Sequence, residues 1–232
     1  MDNISLYEDI KARTGGEIYL GVVGPVRTGK STFIRRFMDL CVIPSILDPN
    51  EKKRIIDELP QAGVGKTVMT TEPKFIPKTG IEIPLSNNVK AKFRLIDCVG
   101  YIVDSAQGVY EDDKERLVKT PWFDENIPFS KAAQTGTEKV IRDHSTIGIV
   151  MTTDGSIGEF TRDDYISAEE KAIMELKKIK KPFIVIVNST FPASDFTRKI
   201  ANEISEKYEV TALPMDCENL NKEDVNKILS AI

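Results

Sequence analysis

Cysteine is scarce in this chain of 232 residues, with three in all at Cys41, Cys98 and Cys217. An odd, widely spaced trio offers no disulfide framework. It fits a reducing, cytosolic compartment. A single histidine, His144, leaves no ligand set for a zinc cluster. An excess of basic charge is also lacking. The formal net charge is −4 from 32 Lys and Arg against 36 Asp and Glu, so no global footprint for nucleic acid exists. Long apolar runs are missing too. The longest in a strand-like segment, residues 183–187, is far short of the ~20 residues that span a bilayer. The N-terminus carries Asp2, Glu8 and Asp9 and lacks the apolar core of a signal peptide. Any membrane contact is expected to be peripheral.

What is present is ordinary in bulk. Hydrophobic residues make up 41% and charged residues 29%, as in a soluble globular protein, which excludes a disordered chain, a collagen and a coiled-coil rod. Residues 1–16 form a lead segment with a short helix over 4–13, ended by Thr14-Gly15-Gly16. Ile18 to Val23 is apolar and β-branched, the pattern of a buried strand, and a helix follows from Lys30 to about Leu40. Residues 41–73 hold four prolines and predict a long loop with a short helix over 50–59. Strands are expected over about 74–85 and 89–97, with a turn at Ser86-Asn87-Asn88. Residues 98–135 look irregular, and the charged run 111–116 reads as a solvated surface. From there strands (146–152, 183–187, 210–215) alternate with helices (165–180, 196–207, 222–231). Such alternation implies crossover connections and a mostly parallel sheet covered on both faces. The expectation is an α/β P-loop NTPase with a three-layer sheet, in one domain over 17–232 with long switch-like loops at about 41–73 and 98–135.

The chemistry concentrates in three places. Gly24-Pro25-Val26-Arg27-Thr28-Gly29-Lys30-Ser31 matches G-x-x-x-x-G-K-[ST] in full, between a buried strand and a helix. Its glycines let backbone N–H groups converge on phosphate, and the helix N-terminus adds positive partial charge. Lys30 then reaches the β- and γ-phosphates, Ser31 places its hydroxyl on Mg²⁺, and Thr32 completes the cradle. Gly63-Val64-Gly65-Lys66-Thr67 imitates the end of such a loop, but Pro60 stands where its first glycine belongs and no strand precedes it. Arg94-Leu95-Ile96-Asp97-Cys98-Val99-Gly100 is an apolar strand ending in Asp-x-x-Gly. An acidic residue there holds Mg²⁺ in P-loop enzymes, and Gly100 offers its amide to the γ-phosphate. Between the two motifs, Thr70 or Thr71 is a candidate to coordinate Mg²⁺ and sense the γ-phosphate.

This motif order resembles the translation-factor-related class of P-loop GTPases. Two hallmarks of that class fail. After strand 183–187 the sequence is Asn188-Ser189-Thr190-Phe191, with no lysine and no carboxylate at the guanine-reading position. Tyr101 follows Gly100 where a water-orienting glutamine often sits. The resemblance then narrows. Thr14-Gly15-Gly16-Glu17-Ile18-Tyr19-Leu20-Gly21-Val22-Val23-Gly24, Met69-Thr70-Thr71-Glu72-Pro73-Lys74-Phe75, Asp97-Cys98-Val99-Gly100-Tyr101 and Asp143-His144-Ser145-Thr146-Ile147-Gly148 are similar to the stage IV sporulation protein A family. That resemblance implies an ATPase using ATP and Mg²⁺, whose turnover drives self-assembly into the basement layer of a bacterial spore coat. It implies a cytoplasmic location in the mother cell, at the forespore surface. Partners would be other copies, other coat proteins and, peripherally, the forespore membrane, with no nucleic acid. Family members are longer, so further C-terminal domains are expected beyond this chain.

The expected site is therefore Lys30, Thr70, Thr71, Asp97 and Arg27 for catalysis; residues 24–32, Gly100 and Asn188 for the nucleotide; and Ser31, Thr70 and Asp97 for the metal. Arg27 has two readings. It reaches the β/γ-phosphate bridge as an arginine finger supplied in cis, or it points to solvent or pairs with a switch-loop carboxylate. His144 is taken as a capping or packing residue, Cys98 as a small buried one, and Trp122, Phe123 and Phe129 as loop packing rather than base stacking. A nucleotide-regulated switch that does not polymerise, and a scaffold without turnover, are the alternative functions.

Overall fold

Strand burial on both faces decides the architecture. Every residue of Ile147–Thr153 is buried, and so are five of the six residues of Phe183–Asn188, as central strands of a covered parallel sheet must be. A computed structural model describes residues 12, 15–60, 72–86, 89–103, 106, 108–111 and 114–232. Ten strands are described: β1 Glu17–Val23, β2 Lys74–Ser86, β3 Val89–Asp97, β4 Tyr110–Glu111, β5 Lys114–Glu115, β6 Leu117–Thr120, β7 Phe123–Pro128, β8 Ile147–Thr153, β9 Phe183–Asn188 and β10 Ala212–Met215. The helices are α1 Lys30–Phe37, α2 Pro49–Glu58, α3 Phe129–Lys139, α4 Arg162–Lys178, α5 Asp195–Tyr208 and α6 Lys222–Ala231.

Six strands form one sheet in the order β10-β9-β8-β1-β3-β2, parallel except for the edge strand β2. Side chains alternate along each strand and divide the core in two. Ile147, Ile149 and Met151 of β8 pack with Phe33 and Phe37 of α1, Ile55 of α2 and Ile228 of α6. Val150 of the same strand faces Phe129 of α3, Ala172 and Leu176 of α4, and Ile200 and Ile204 of α5. Helices therefore cover both faces, and the three-layer α/β expectation holds.

Connectivity places the site. From β1 the chain passes to β3 on one side and later crosses to β8 on the other. The crevice beyond the carboxyl end of β1 is thus the point where strand order reverses, the place where open α/β sheets bind ligands.

Local differences from the sequence reading have physical causes. Helix α1 does not stop near Leu40. It runs into a wider turn over Met38–Val42 and a tight one over Ile43–Ser45, because Met38, Val42 and Ile43 are all buried against the core. The stretch 98–135 is not irregular throughout. It contains two short hairpins, β4-β5 and β6-β7, and most of α3. The charged run ending at Arg116 is more than a solvated face. Glu115 accepts the Ser130 N–H in the first turn of α3 at 2.8 Å, and the Arg116 guanidinium lies 4.3 Å from the centre of the Phe129 ring. Helix α4 starts three residues earlier than expected, where Thr161 and Asp164 cap it reciprocally. In its first turns Tyr165 and Ala168 take core positions, while Ile166 is exposed. All of the lead helix over 4–13 but residue 12, the 63–67 imitation loop and part of the 86–88 turn lie outside the described residues.

Candidate functional site

The loop between β1 and α1 is shaped by three residues with left-handed backbone: Gly24 (φ 126°), Arg27 (φ 62°) and Gly29 (φ 86°). A side chain at Gly24 would stand 2.2 Å from the Met151 carbonyl oxygen, so only glycine fits. Arg27 carries the same strain without being glycine, which is uncommon outside functional loops. Thr28 turns its hydroxyl back onto the Pro25 carbonyl at 3.0 Å, and the Lys30 ammonium donates to the same oxygen. Lys30 is buried. Burial pushes its pKa down, the positive Arg27 adds to that, and the charge of Asp97 opposes it.

Ser31, in the first turn of α1, donates to Asp97 Oδ2 at 2.7 Å. Asp97 closes β3, next to β1 in register with Val22, so the pairing is set by the parallel ladder. Its second oxygen, Oδ1, is buried and has no hydrogen-bond partner. Burial pushes the Asp97 carboxyl up, against the pull of Ser31 and Lys30. A buried carboxylate oxygen with no partner is costly. Beside a serine hydroxyl it is the donor set of a hard divalent cation bound together with phosphate oxygens. The residues present fit Mg²⁺.

The segment after β3 is stapled to the phosphate loop. Tyr101 N–H donates to the Gly24 carbonyl at 3.0 Å, and Val26 N–H donates to the Tyr101 carbonyl at 2.9 Å. The Val26 amide is thus engaged with Tyr101, and Pro25 has no amide to offer. The loop members in the best position to meet phosphate are the amides around Gly29 and Lys30 at the helix start. Gly100 (φ 95°) passes so close that a side chain there would stand 2.2 Å from Gly24 O and 2.7 Å from Lys30 Nζ. The glycine of Asp-x-x-Gly is therefore a close-approach residue here. Tyr101 is buried and its phenol pKa is pushed up by burial, so it is no substitute for a water-orienting glutamine. Thr32, the third residue of α1, is half-buried. Thr70 and Thr71 lie outside the described residues.

Cys98 is buried. Its thiol donates to the Val22 carbonyl at 3.2 Å, and burial raises its pKa to about 11. It packs the sheet rather than acting as a nucleophile. His144 stacks edge-on against Phe75, with ring centres 5.1 Å apart. Phe129 is fully buried, and the Lys131 ammonium lies 5.4 Å from the centre of the Phe123 ring.

At the other end of the crevice Asn188, the last residue of β9, holds three elements together. Its amide donates to the Thr28 carbonyl at 3.0 Å, and its carbonyl accepts the Cys217 N–H after β10 at 3.0 Å. Beyond it lies a polar network that no motif announced. Asp154, just past β8, accepts the Ser156 N–H and hydroxyl on Oδ1 (2.9 and 2.6 Å) and the Thr197 hydroxyl on Oδ2 (2.6 Å). Burial alone would push this carboxyl up, but the hydrogen bonds from Ser156, Ser189 and Thr197 outweigh it and hold the pKa below the ordinary value. Nearby, Arg162 and the buried Glu169 form an ion pair at 2.5 Å, and the Thr152 hydroxyl donates to the same carboxylate, which fixes the end of β8 on α4. Among the described residues no cluster of three or more His, Cys, Asp or Glu could hold a metal by itself. No helix among them is long and apolar enough to cross a membrane.

Comparison with known proteins agrees with this geometry. A solved structure of a point variant of Aquifex aeolicus Era, bound to GDP and aluminium fluoride, superposes with a TM-score of 0.52 at 16% identity, covering 92% of this chain and 56% of that one. At that identity the likeness speaks for the P-loop fold alone. Stage IV sporulation protein A of Clostridioides difficile (strain 630) is 53% identical over 230 residues, 99% of this chain and 47% of the relative. The Bacillus subtilis (strain 168) protein of the same name is 49% identical over 229 residues, 99% of this chain and 46% of the relative. The chain thus spans about half the length of the curated relatives it matches. The family described as stage IV sporulation protein A, ATPase domain, matches residues 1–232 from end to end, and the chain belongs to that family.

Proposed function

We propose that this chain is the Mg²⁺-dependent ATPase part of a morphogenetic protein whose nucleotide turnover drives self-assembly into the basement layer of a bacterial spore coat. The observation that carries the nucleotide half is the Ser31–Asp97 pair with its unpartnered buried oxygen at the mouth of a full phosphate loop. The assembly half rests on family membership. Lys30 would leave the Pro25 carbonyl for the β/γ-phosphates, and Ser31 and Asp97 would hold Mg²⁺. Bound there, Mg²⁺ supplies neutralisation of charge on the β- and γ-phosphate oxygens. Gly100 offers its amide to the γ-phosphate and reports its loss. Thr70 or Thr71 senses the same group. Arg27, held by its left-handed backbone close enough to depress Lys30, adds a fixed positive charge on the loop. Catalysis is positioning and charge stabilisation, as phosphoryl transfer generally requires. ATP is favoured over GTP because Phe191 stands where a carboxylate would read guanine. The cytoplasmic, mother-cell location at the forespore surface, and contacts with other coat proteins, belong to the same proposal.

The test is phosphate release from ATP and from GTP, with sedimentation, on the full-length protein with and without Mg²⁺. Mg²⁺-dependent ATP turnover with sedimentable polymer is the expected result. Turnover without polymer makes the protein a switch, nucleotide binding without turnover makes it a scaffold, and faster GTP turnover overturns the base assignment.

A further inference from the structure

The crevice has a phosphate end and, across Asn188, a second end formed by the segments after β8, β9 and β10. At that second end a large apolar side chain stands in the open: Phe191 is 70% exposed. Its backbone is held on both sides. Its N–H donates to Ser189 Oγ at 2.9 Å, and its carbonyl accepts the Ser194 N–H at 2.9 Å with the Thr197 hydroxyl 3.2 Å away. Ser189 and Thr197 are themselves tied together at 3.2 Å, and Thr197 to Asp154. The Thr190 N–H donates to Ser156 Oγ at 3.0 Å, which fixes the segment from the β8 side. A phenyl ring exposed at the tip of a segment this thoroughly pinned is pre-organised for a flat apolar ligand. The segment follows Asn188 directly, and Asn188 touches the Thr28 carbonyl inside the phosphate loop. The segment carrying Phe191 is thereby tied to the loop that precedes the helix start. The carboxylate at this end cannot read a guanine edge, because both oxygens of Asp154 are already occupied by Ser156 and Thr197.

We infer that Phe191 is the platform on which the adenine ring rests, and that Asp154 and Thr197 are positioning residues that hold it there. The inference rests on the ATP reading above and names the base-holding element within it. Recognition by such a platform is stacking, which is sequence-tolerant and does not need a hydrogen-bond code. It gives ATP a hold without giving guanine its usual carboxylate partner.

The experiment is calorimetric titration of the full-length protein, in Mg²⁺, with ATP and with tripolyphosphate, which carries the phosphates but no base. Phe191→Ala is expected to weaken ATP about tenfold and to leave tripolyphosphate unchanged, and Phe191→Trp is expected to restore ATP. Thr197→Val is expected to weaken ATP in the same selective way, with Thr197→Ser recovering it. A loss of general fold would lower both ligands together and Thr197→Ser would not discriminate. Equal ATP affinity in wild type and Phe191→Ala overturns the platform. If that variant also fails to sediment as polymer, the exposed ring is an assembly contact instead. Wild-type protein binding neither ligand overturns the ATPase reading itself, and is distinguished by the tripolyphosphate arm.

Discussion

Two buried carboxylates sit at opposite ends of the same crevice and are treated in opposite ways. Asp97, at the end of β3, has one oxygen on Ser31 and the other on nothing, and burial pushes its pKa up. Asp154, past the end of β8, has both oxygens bonded, and its pKa is held down. The first has an acceptor left over, which the proposed cation would use. The second is finished within the protein and holds the backbone that carries Phe191. The same side chain thus has an open acceptor where a hydrogen bond is missing and is a brace where its hydrogen bonds are complete.

The largest effect that tests this contrast is on turnover. Asp97→Asn keeps the acceptor for Ser31 and removes the charge. Mg²⁺-dependent hydrolysis is expected to fall about a hundredfold or more, as loss of a main electrostatic partner of the transition state does. The unfolding midpoint of the ligand-free protein is expected to rise, because burial disfavours the Asp97 charge more than Ser31 and Lys30 favour it. Phosphate release and urea unfolding of the same preparation check both halves. A variant that loses turnover and also unfolds more easily would mean that Asp97 braces the ladder rather than waiting for a cation.

Asp154→Asn is expected to do the reverse. An amide cannot accept from Ser156 and Thr197 with both of its heavy atoms, so one hydroxyl or the Ser156 N–H loses its acceptor. The expected cost is about 1–3 kcal/mol of stability, read as a lower urea midpoint with unchanged slope. Tripolyphosphate binding is expected to stay as in wild type. A variant as stable as wild type would remove the distinction between the two carboxylates.

Legibility in the sequence follows the same divide. The phosphate end is readable because its residues are contiguous: 24–31 in one loop, 97–100 in another, each with a strand before it. Even Gly100, read as a phosphate contact, occupies its place for a reason the motif only implies: a side chain there would stand 2.2 Å from Gly24 O. The end that carries Asp154 and Phe191 is not readable. Asp154, Ser156, Ser189 and Thr197 are scattered over three segments and look like ordinary loop polar residues until the sheet gathers them. Helix α3 escapes the sequence reading for another reason. Its sequence, Phe129–Lys139, carries Gly136 and two threonines, poor helix formers. Yet its buried residues Phe129, Ala132, Ala133, Gly136 and Thr137 follow the helical period. The signal is there, written in small residues that a hydrophobicity count overlooks. The six-stranded sheet is legible because strands and helices alternate with unmixed periods after residue 146. The hairpins β4-β5 and β6-β7 are not, since their short strands are half exposed and too polar to alternate.

The smallest expected effect is the pH dependence carried by Asp154. Its folded pKa lies below that of the unfolded chain, where an aspartate titrates near ~3.9. Above that value both states are ionised and the contribution to stability is complete. As pH falls below it, the unfolded chain takes up a proton before the folded one does, so stability declines with falling pH until the folded carboxyl also protonates. The difference in stability between wild type and Asp154→Asn is therefore flat from neutral pH down to about 5 and narrows below ~4. It can narrow by no more than the whole effect of the substitution, because the amide is the uncharged limit of the same group. Urea midpoints of the two proteins from pH 7 to pH 3 give the curve directly. A gap that widens toward acid would place the Asp154 pKa above the unfolded value, and the carboxylate would then be a strained group like Asp97 rather than a brace.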